Sequence, residues 1–571
     1  MNPFVFNAAS NLSNDLLKRI FIPDHNYSRF IESKRNVFFW GERGCGKTMT
    51  LLFNRLSMLG KANEELKLGN KVTFLPVYVS CITPLIFKRE YLLLDDFKGA
   101  VISEHYLSLS VAMAIVDSLL KLDNQEIFLK DESLALDLSY IFSGEFPSDN
   151  NPILQLKRFI TKKFIDTQKE INRFDSNSFY DDTYSFTSII VPFIDLLKER
   201  KVFNEAHFVL MLDDAHDLNK YQRTIVNSWI AFRDNSSFSF KISAAKSPGY
   251  DLSTSSGGAI LPGHDYVHVD IEKPFQNDDS AYGQLARKII SKRLELIGID
   301  KTPEDFFPFN SSMIDDMEDA KNEARIIAEK KYGAQNKKSI ADFVYKYGRA
   351  IYFRNRSHKA NRPPYSGFDT IVNISSGVIR NLLEPCFVMY DDMLSKCGEL
   401  EEVTEISPSV QTDVLLRLSE SYWKRLRDGI DNEIGCLAHE GQYVENLFTC
   451  LGHLFRGRLL NPNCSEPRAI AFTISAKSKE IMDQLMPILD IARRAQLLYV
   501  RSGTAKDRGE SEDYYVPNKM LWPSRGLDPV GQHARVSIQA RYLLDAAINK
   551  TPIPDSLASG ENTIQAGLFD E

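Results

Sequence analysis

The distribution of apolar residues along the chain predicts alternating strands and helices. Short apolar runs such as "NVFFW" (36–40) and "HFVLML" (207–212) have the length and composition of strands buried on both faces. Longer stretches such as "LSLSVAMAIVDSLLKL" (107–122) and "IVPFIDLLKER" (190–200) carry apolar residues at helical spacing. Strands that alternate with helices indicate an α/β fold built on a parallel sheet.

Three other segments complete the predicted sheet. "KVTFLPVYV" (71–79) is rich in strand-forming residues but contains Pro76. Proline lacks the N–H that a central strand needs, so we place this strand at the edge of the sheet. "FSFKISAA" (238–245) and "DYVHVDIE" (265–272) predict two more strands.

The length and composition of the chain indicate a multidomain globular protein. Its 571 residues suffice for three or four domains, and its net charge of −7 argues against a nucleic-acid coat protein or a membrane-surface binder. Any nucleic-acid surface must therefore be local. The N-terminus lacks a basic leader with an apolar run, and no apolar run reaches membrane-spanning length, so we expect a cytoplasmic protein without a membrane. Seven cysteines without a C-x-x-C pair fit reduced thiols and argue against a zinc site.

The segment after the first strand has the spacing of a phosphate-binding loop. "GERGCGKT" satisfies G-x-x-x-x-G-K-[ST] between an apolar run and a predicted helix. The glycines let backbone N–H groups surround phosphate oxygens, Lys47 reaches the outer phosphates of ATP, and the Thr48 hydroxyl coordinates Mg²⁺. The residues predicted to bind ATP are Gly41, Glu42, Arg43, Gly44, Cys45, Gly46, Lys47, Thr48 and Met49.

Two aspartates follow the apolar run 207–212. The carboxyl ends of parallel strands are where ligands collect in open α/β sheets, so we expect Asp213 to hold Mg²⁺ and Asp214 to orient the attacking water. The alternative is that both acids merely cap the next helix. Asp214 has one methylene fewer than Glu, so hydrolysis is expected to be slow or to need a partner that aligns the water.

The order of these parts resembles the AAA+ ATPases of the origin-recognition type, in their bacterial branch, with STAND ATPases as a neighbouring family. The segments that carry the resemblance are "GERGCGKT", "HFVLMLDDAHD", "FKISAAKS" and "FDTIVNISSGVIRNLLE", within about the first 400 residues. The resemblance implies an α/β P-loop AAA+ core with a parallel sheet, a helical lid and a C-terminal winged-helix-like domain. It also implies a G-x-x-R motif whose arginine touches the γ-phosphate, which Gly377 and Arg380 match. A solvated or salt-bridged Arg380 is the alternative.

Other family positions are ambiguous in this chain. Where the family places Asn or Thr after a strand as its sensor one, the sequence offers Lys246 or Ser247. The run "YGRAIYFRNRSHKANRPP" could supply an arginine finger to a neighbouring subunit, grip a phosphate backbone or form a solvated basic loop. Its arginines are Arg349, Arg354, Arg356 and Arg362.

The last region predicts helices followed by a β-ribbon, which is the layout of a winged helix. "QLLYVRSGTAKDRGESEDYYVPNKMLW" (496–522) reads as two strands joined by a charged loop, and residues 456–508 hold ten Lys/Arg against five Asp/Glu. We expect Lys506 and Arg508 at the tip to contact DNA phosphates, with Arg493 and Arg494 before the first strand. The alternative is a winged helix that contacts protein. The aromatic residues are expected to form core rather than stack on bases; they are Tyr499, Tyr514, Tyr515 and Trp522.

We predict three domains: an ATPase core at 1–272 with a helical insertion at about 85–201, a helical lid at 273–400 and a winged-helix-like domain at 401–571. The expected function is an ATP-binding, ATP-hydrolysing regulator that couples nucleotide state to a DNA or protein partner. The alternative is a STAND-like ATP-dependent oligomeric switch in a bacterial antiviral defence system. Because the chain has no nuclease or deaminase motif, either function implies a separate protein effector, and nucleotide at subunit interfaces would make a homo-oligomer.

Overall fold

The protein is described from a computed structural model. The described residues are 2–5, 9–23, 27–81, 95–124, 127, 131–146, 151–171, 182–232, 236–246, 249–272, 279–358, 364–397, 403–504, 511–531 and 535–555. They fall into two compact units. The N-terminal unit comprises residues 7–41 and 46–272, and the C-terminal unit comprises residues 1–6, 42–45 and 273–571.

The N-terminal unit contains a five-stranded sheet in which every pairing is parallel. The strand order is β2-β3-β4-β1-β5. This confirms the predicted parallel α/β core. The strands are β1 (Val37–Trp40), β2 (Phe74–Ser80), β3 (His207–Asp213), β4 (Phe238–Ala244) and β5 (Val267–Asp270).

Helices surround this sheet and supply much of its core. β3 and β4 are buried along their whole length, as the continuous apolar runs predict. The described helices are α1 (Asn14–Ile20), α2 (Ser28–Ile31), α3 (Lys47–Lys67), α4 (Asp96–Leu119), α5 (Glu132–Phe142), α6 (Pro152–Ile171), α7 (Val191–Glu199) and α8 (Lys220–Ile230). A π-helical turn at Phe186–Ile190 leads into α7.

The insertion is helical, as predicted, since α4, α5, α6 and α7 all lie within it. The edge position predicted for β2 is confirmed among the described strands, where β2 pairs with β3 alone. α4 covers that edge, where the Ser118 hydroxyl donates to the Pro76 carbonyl at 2.6 Å.

Helix α4 is the one helix among the described residues whose length and composition would allow it to cross a membrane. The expectation that no apolar run reaches that length does not hold for this helix. Of its most apolar stretch, 72% is buried inside the fold. That burial is typical of a core helix, because α4 packs against β2, α6 and α8.

The C-terminal unit is mostly helical. The first residues of the chain belong to this unit as well. The Asn2 side chain donates to the Phe387 carbonyl. Phe4 packs on Phe306, Phe307 and Tyr390. The described helices are α9 (Asp279–Glu295), α10 (Pro303–Phe306), α11 (Ser311–Tyr332), α12 (Lys337–His358), α13 (Phe368–Ile374), α14 (Ile379–Cys397), α15 (Pro408–Asp428), α16 (Ile430–Ile434), α17 (Ala438–Leu460), α18 (Lys479–Arg494) and α19 (Ala540–Asn549).

A second, four-stranded sheet closes the C-terminal unit, in the order β7-β8-β6-β9. Its strands are β6 (Ala471–Ser475), β7 (Leu498–Thr504), β8 (Ser511–Pro517) and β9 (Arg535–Gln539). β7 and β8 form an antiparallel pair from Leu498 opposite Pro517 to Thr504 opposite Ser511. The two predicted strands of the ribbon are therefore present, whereas the winged-helix assignment and the three-domain division stay predictions.

Candidate nucleotide-binding site

The loop between β1 and α3 has the backbone of a phosphate-binding loop. Gly44 and Gly46 adopt φ values of 85° and 102°, in the left-handed region that favours glycine. Lys47 begins the 21-residue helix α3 and is buried at 5% exposure. Its Nζ donates to the Gly41 carbonyl at 2.8 Å, so the cation is turned back into the loop.

The register of the sheet brings the loop and the acidic pair to the same edge. Trp40, which precedes Gly41, pairs with Ala244, and Leu212, which precedes Asp213, pairs with Ile242. Because these strands are parallel, the carboxyl ends of β1, β3 and β4 are neighbours. The arrangement predicted from the two motifs is therefore present in the N-terminal unit.

Asp213 is held by two hydroxyl groups that lie outside the sequence motifs. The carboxylate is 1% exposed; its Oδ2 accepts from the Tyr78 hydroxyl at 2.8 Å, and its Oδ1 accepts from the Ser243 hydroxyl. Burial, and then the charge of Asp213, raise the pKa of Tyr78 well above its ordinary value. The Tyr78 hydroxyl therefore stays protonated and donates to the carboxylate.

Asp214 takes an unusual backbone conformation directly after the strand. Its φ of 55° and ψ of 41° lie in the left-handed region, which aspartate tolerates better than most residues. Its N–H donates to the Ser243 hydroxyl at 2.8 Å and lies 3.1 Å from Asp213 Oδ1. Ser243 thus fixes the side chain of one acid and the backbone of the other.

These residues fit a nucleotide with Mg²⁺. A carboxylate has about four acceptor positions, and the contacts to Tyr78, Ser243 and the Asp214 N–H use three of those on Asp213. One position on Oδ2 is left for a metal or a metal-bound water. Carboxylate and hydroxyl oxygens are hard ligands that Mg²⁺ prefers, so Asp213 and Thr48 would hold it.

Arg380 lies in the C-terminal unit, together with residues 42–45 of the loop. Its backbone N–H donates to the Gly44 carbonyl at 3.3 Å, and a Cβ at Gly44 would lie 2.7 Å from Arg380 Cβ. Glycine is therefore required at position 44 by close approach as well as by φ. The Arg380 side chain is exposed, near the start of α14, and Gly377 provides the turn before it with φ 78°.

Of the two residues proposed for the sensor-one position, Lys246 lies among the described residues and pairs with acids at the end of β5 and just after it. Lys246 Nζ lies 2.9 Å from both Asp270 and Glu272. Burial lowers the pKa of Lys246, but the two carboxylates raise it more, so the ammonium stays charged. Ser247 lies outside the described residues. Ser243, three residues before Lys246, donates its hydroxyl to Asp213.

The described arginines of the run 347–364 lie on α12 and have structural partners. Arg349 makes two hydrogen bonds to Asp528 at 2.9 and 2.7 Å, Arg354 donates to two main-chain carbonyls, and Arg356 pairs with Asp316. The solvated-loop interpretation is therefore wrong for these three. Arg362 lies outside the described residues.

Two arginines of the basic region 456–508 have acidic partners. Lys506 and Arg508 lie outside the described residues. Arg493 pairs with Asp490 at 2.8 Å, and the buried Arg458 pairs with Asp555 at 2.6 Å. The prediction that aromatic residues of this region form core is confirmed for Tyr499, Tyr515 and Trp522, which are buried. Tyr514 is half-buried, and its ring lies under the Arg535 guanidinium.

The strand order and the phosphate loop together define a P-loop ATPase core of the AAA+ class. The ORC-CDC6-like family model matches residues 2–331 and 309–538, and the chain belongs to that family. Among solved structures, the chain is similar to Cdc6p from Pyrobaculum aerophilum, with 11% sequence identity and a TM-score of 0.30. The match covers 96% of this chain and 97% of that chain. It is also similar to the Aeropyrum pernix Orc1 protein in complex with DNA, with 10% identity, 95% of each chain covered and a TM-score of 0.31. No curated protein matches the sequence.

Proposed function

We propose that the protein binds and hydrolyses ATP and couples its nucleotide state to duplex DNA. The observation that carries the ATP part is the position of the phosphate loop and the Asp213–Asp214 pair at one edge of the sheet. Membership of the ORC-CDC6-like family supports a nucleotide-dependent regulator. We also propose a cytoplasmic location and the three domains 1–272, 273–400 and 401–571.

In this proposal each residue of the site has a separate role. Lys47 leaves the Gly41 carbonyl for the outer phosphates, and the N–H groups of the loop from Gly41 to Met49 surround the phosphate oxygens. Mg²⁺, when bound, neutralises charge on those oxygens. Asp213 and Thr48 hold the metal, Asp214 orients the attacking water, and Arg380 senses the γ-phosphate.

The DNA part of the proposal rests on the family and on the C-terminal ribbon. β7 and β8 form an antiparallel ribbon beside helices, and Lys506 and Arg508 belong to the segment that joins its two strands. Such a ribbon would place both cations on DNA phosphates. A separate protein effector and a homo-oligomer are further parts of the proposal.

A second function, a STAND-like oligomeric switch that controls a separate effector in antiviral defence, is favoured by Asp214. A shorter carboxylate in place of Glu suits slow turnover, and slow turnover keeps a switch in its ATP-bound state. DNA-stimulated ATPase activity supports the first function, and ATP-driven assembly without DNA supports the second.

The ATP site is tested by calorimetry and by turnover. Lys47→Ala should abolish measurable ATP binding, because it removes the mobile cation of the loop, whereas Lys61→Ala, at an exposed position of the same helix, should not.

Asp214→Asn should keep ATP binding and slow turnover by about 100-fold or more, since an amide is a poor base. Asp213→Asn should weaken Mg²⁺-dependent binding. Unchanged ATP affinity in Lys47→Ala would overturn the proposal.

A further inference from the structure

Helices α11 (Ser311–Tyr332) and α12 (Lys337–His358) form an antiparallel hairpin within the C-terminal unit. Each helix has 22 residues and is therefore about 33 Å long. Along α11, one narrow seam is buried, consisting of Met313, Met317, Ala320, Ala324 and Ala328. Small residues let the helices approach closely, since a Cβ at Gly348 would lie 3.2 Å from the Lys321 side chain.

Among the described residues, the contacts that anchor the hairpin to the rest of the C-terminal unit lie toward one of its ends. On α12, Arg349 pairs with Asp528. Arg354 donates to the carbonyls of Leu459 and Asn461. Another anchor lies closer to the N-terminus of α12, at Tyr345, whose carbonyl accepts from Arg468 at 2.8 Å. From Tyr345 to the start of α12 at Lys337 is eight residues, so the tip extends about 12 Å beyond the last anchor. All residues from Glu329 to Lys338 are exposed.

Charge is distributed unevenly along this hairpin. The half of α11 near its anchored end, residues 311–323, has five Asp/Glu and one lysine. The tip, residues 329–338, has four lysines and one glutamate. None of these lysines forms an ion pair with another described residue, although Lys331 lies over the rings of Tyr332 and Phe343 at 5.3 and 5.9 Å. The four lysines are Lys330, Lys331, Lys337 and Lys338.

Helix stability does not account for this cluster. Lys330 and Lys331 lie at the C-terminus of α11, where a cation stabilises the helix dipole. Lys337 and Lys338 lie at the N-terminus of α12, where a cation is unfavourable by a similar amount. Two helix ends therefore bring four like charges together, with no net benefit to folding.

We propose that this lysine tip binds the phosphate backbone of duplex DNA, at a contact additional to the C-terminal ribbon; the proposal rests on the proposed DNA-binding function. Lysine is a flexible point charge suited to phosphates, and duplex DNA carries one negative charge per about 1.7 Å of its axis. A protein partner fits less well. Lysine is depleted at protein interfaces, and the tip residues 329–338 include a single large apolar side chain, that of Tyr332.

The test measures DNA binding by fluorescence anisotropy at several salt concentrations, using the full chain with ATP. Changing the four tip lysines to Gln should weaken binding to all sequences similarly. It should also flatten the slope of log K against log salt by up to about 3.6 units, since each of four phosphate contacts contributes about 0.9. Changing the same four to Arg should keep both affinity and slope. A matched control changes four exposed lysines elsewhere to Gln, at Lys18, Lys162, Lys201 and Lys396, and should have little effect on the slope.

Two further measurements separate this proposal from its alternatives. The unfolding temperature of the Gln variant should stay close to that of the parent, because the two dipole effects cancel. The double variant Lys506→Ala/Arg508→Ala should flatten the salt slope by up to about two units. If that double variant loses DNA affinity while the four-lysine variant keeps it, the ribbon binds DNA and the tip proposal is wrong. The tip proposal is also wrong if the tip binds polyglutamate and makes no contribution to DNA affinity. A parent chain without DNA affinity at low salt overturns both.

Discussion

Ser243 and Tyr78 decide how Asp213 is presented to the candidate metal site. Both donate a hydroxyl to its carboxylate, and Ser243 also accepts from the Asp214 N–H. Motif matching identifies the two acids but not these supporting groups, because they come from neighbouring strands. The signal available in the sequence is a serine near the end of a strand that is otherwise predicted to be buried, "FSFKISAA".

Ser243→Ala should slow ATP turnover about tenfold, because a lost hydrogen bond to a charged group is worth roughly 1.5–3 kcal/mol and part of that fixes Asp213 and Asp214. Mg²⁺-independent ATP binding should not change. Ser239→Ala is the matched control, since Ser239 lies on the same strand, is 1% exposed and bonds to His207 rather than to Asp213. Steady-state kinetics on folded protein compare the two. Equal turnover in both variants would contradict the assigned role of Ser243.

At the scale of elements, the phosphate loop and the edge strand could be predicted because local chemistry determines them. Gly44 and Gly46 need positive φ, and Pro76 cannot donate in a central strand. The acidic pair after β3 could be placed for the same reason. Each of these predictions uses residues that are adjacent in sequence.

Pairings between distant segments could not be predicted. β6 pairs in parallel with β9, more than 50 residues later, and no periodicity specifies that partner. The run that contains the arginines of α12 has no acid of its own, so the sequence leaves open an arginine finger, a phosphate grip and a solvated loop. The acids that pair with Arg349 and Arg356, Asp528 and Asp316, come from other elements. Partners remote in sequence decide which charges are structural and which remain available.

The insertion contains a buried histidine that should make stability depend on pH. His105, on α4, accepts from the Tyr184 N–H through Nδ1 at 2.9 Å, so Nε2 carries the proton and donates to Thr167 at 2.9 Å. Burial, and then the nearby Lys163, lower the pKa of His105 to about 4, although Asp182 raises it slightly. Between about pH 6.5 and 4, the unfolded chain binds a proton at this position that the folded chain does not.

The free energy of unfolding should therefore fall as pH falls through that window. From pH 7 to 5, the parent should lose about 2 kcal/mol more than His105→Gln, which cannot titrate. Urea unfolding at the two pH values measures this difference, and other ionisable groups cancel in the comparison. Equal losses in parent and variant would show that His105 is protonated equally in both states.

At the scale of the whole molecule, the segment Ser376–Asn381, which comprises the turn before α14 and the first residues of that helix, connects the phosphate loop with the β7–β8 ribbon within the C-terminal unit. Arg380, the second residue of α14, contacts Gly44 of the phosphate loop. On the other side, Arg501 of β7 donates to the Ser376 carbonyl at 2.6 Å, and Asn381 donates to the Tyr499 hydroxyl at 2.9 Å. A shift of the loop on nucleotide binding would therefore reach the ribbon through a few direct contacts.

The coupling of ATP to DNA is tested most directly by DNA affinity with and without ATP. Fluorescence anisotropy on a short duplex at fixed salt should show that ATP changes the affinity of the parent chain by about fivefold or more, the usual lower range of coupling between two sites. The Lys47→Ala variant should bind the same duplex equally with and without ATP, because it cannot hold the nucleotide. An affinity of the parent that does not respond to ATP, or no DNA binding even at low salt, would contradict the account and favour the oligomeric switch.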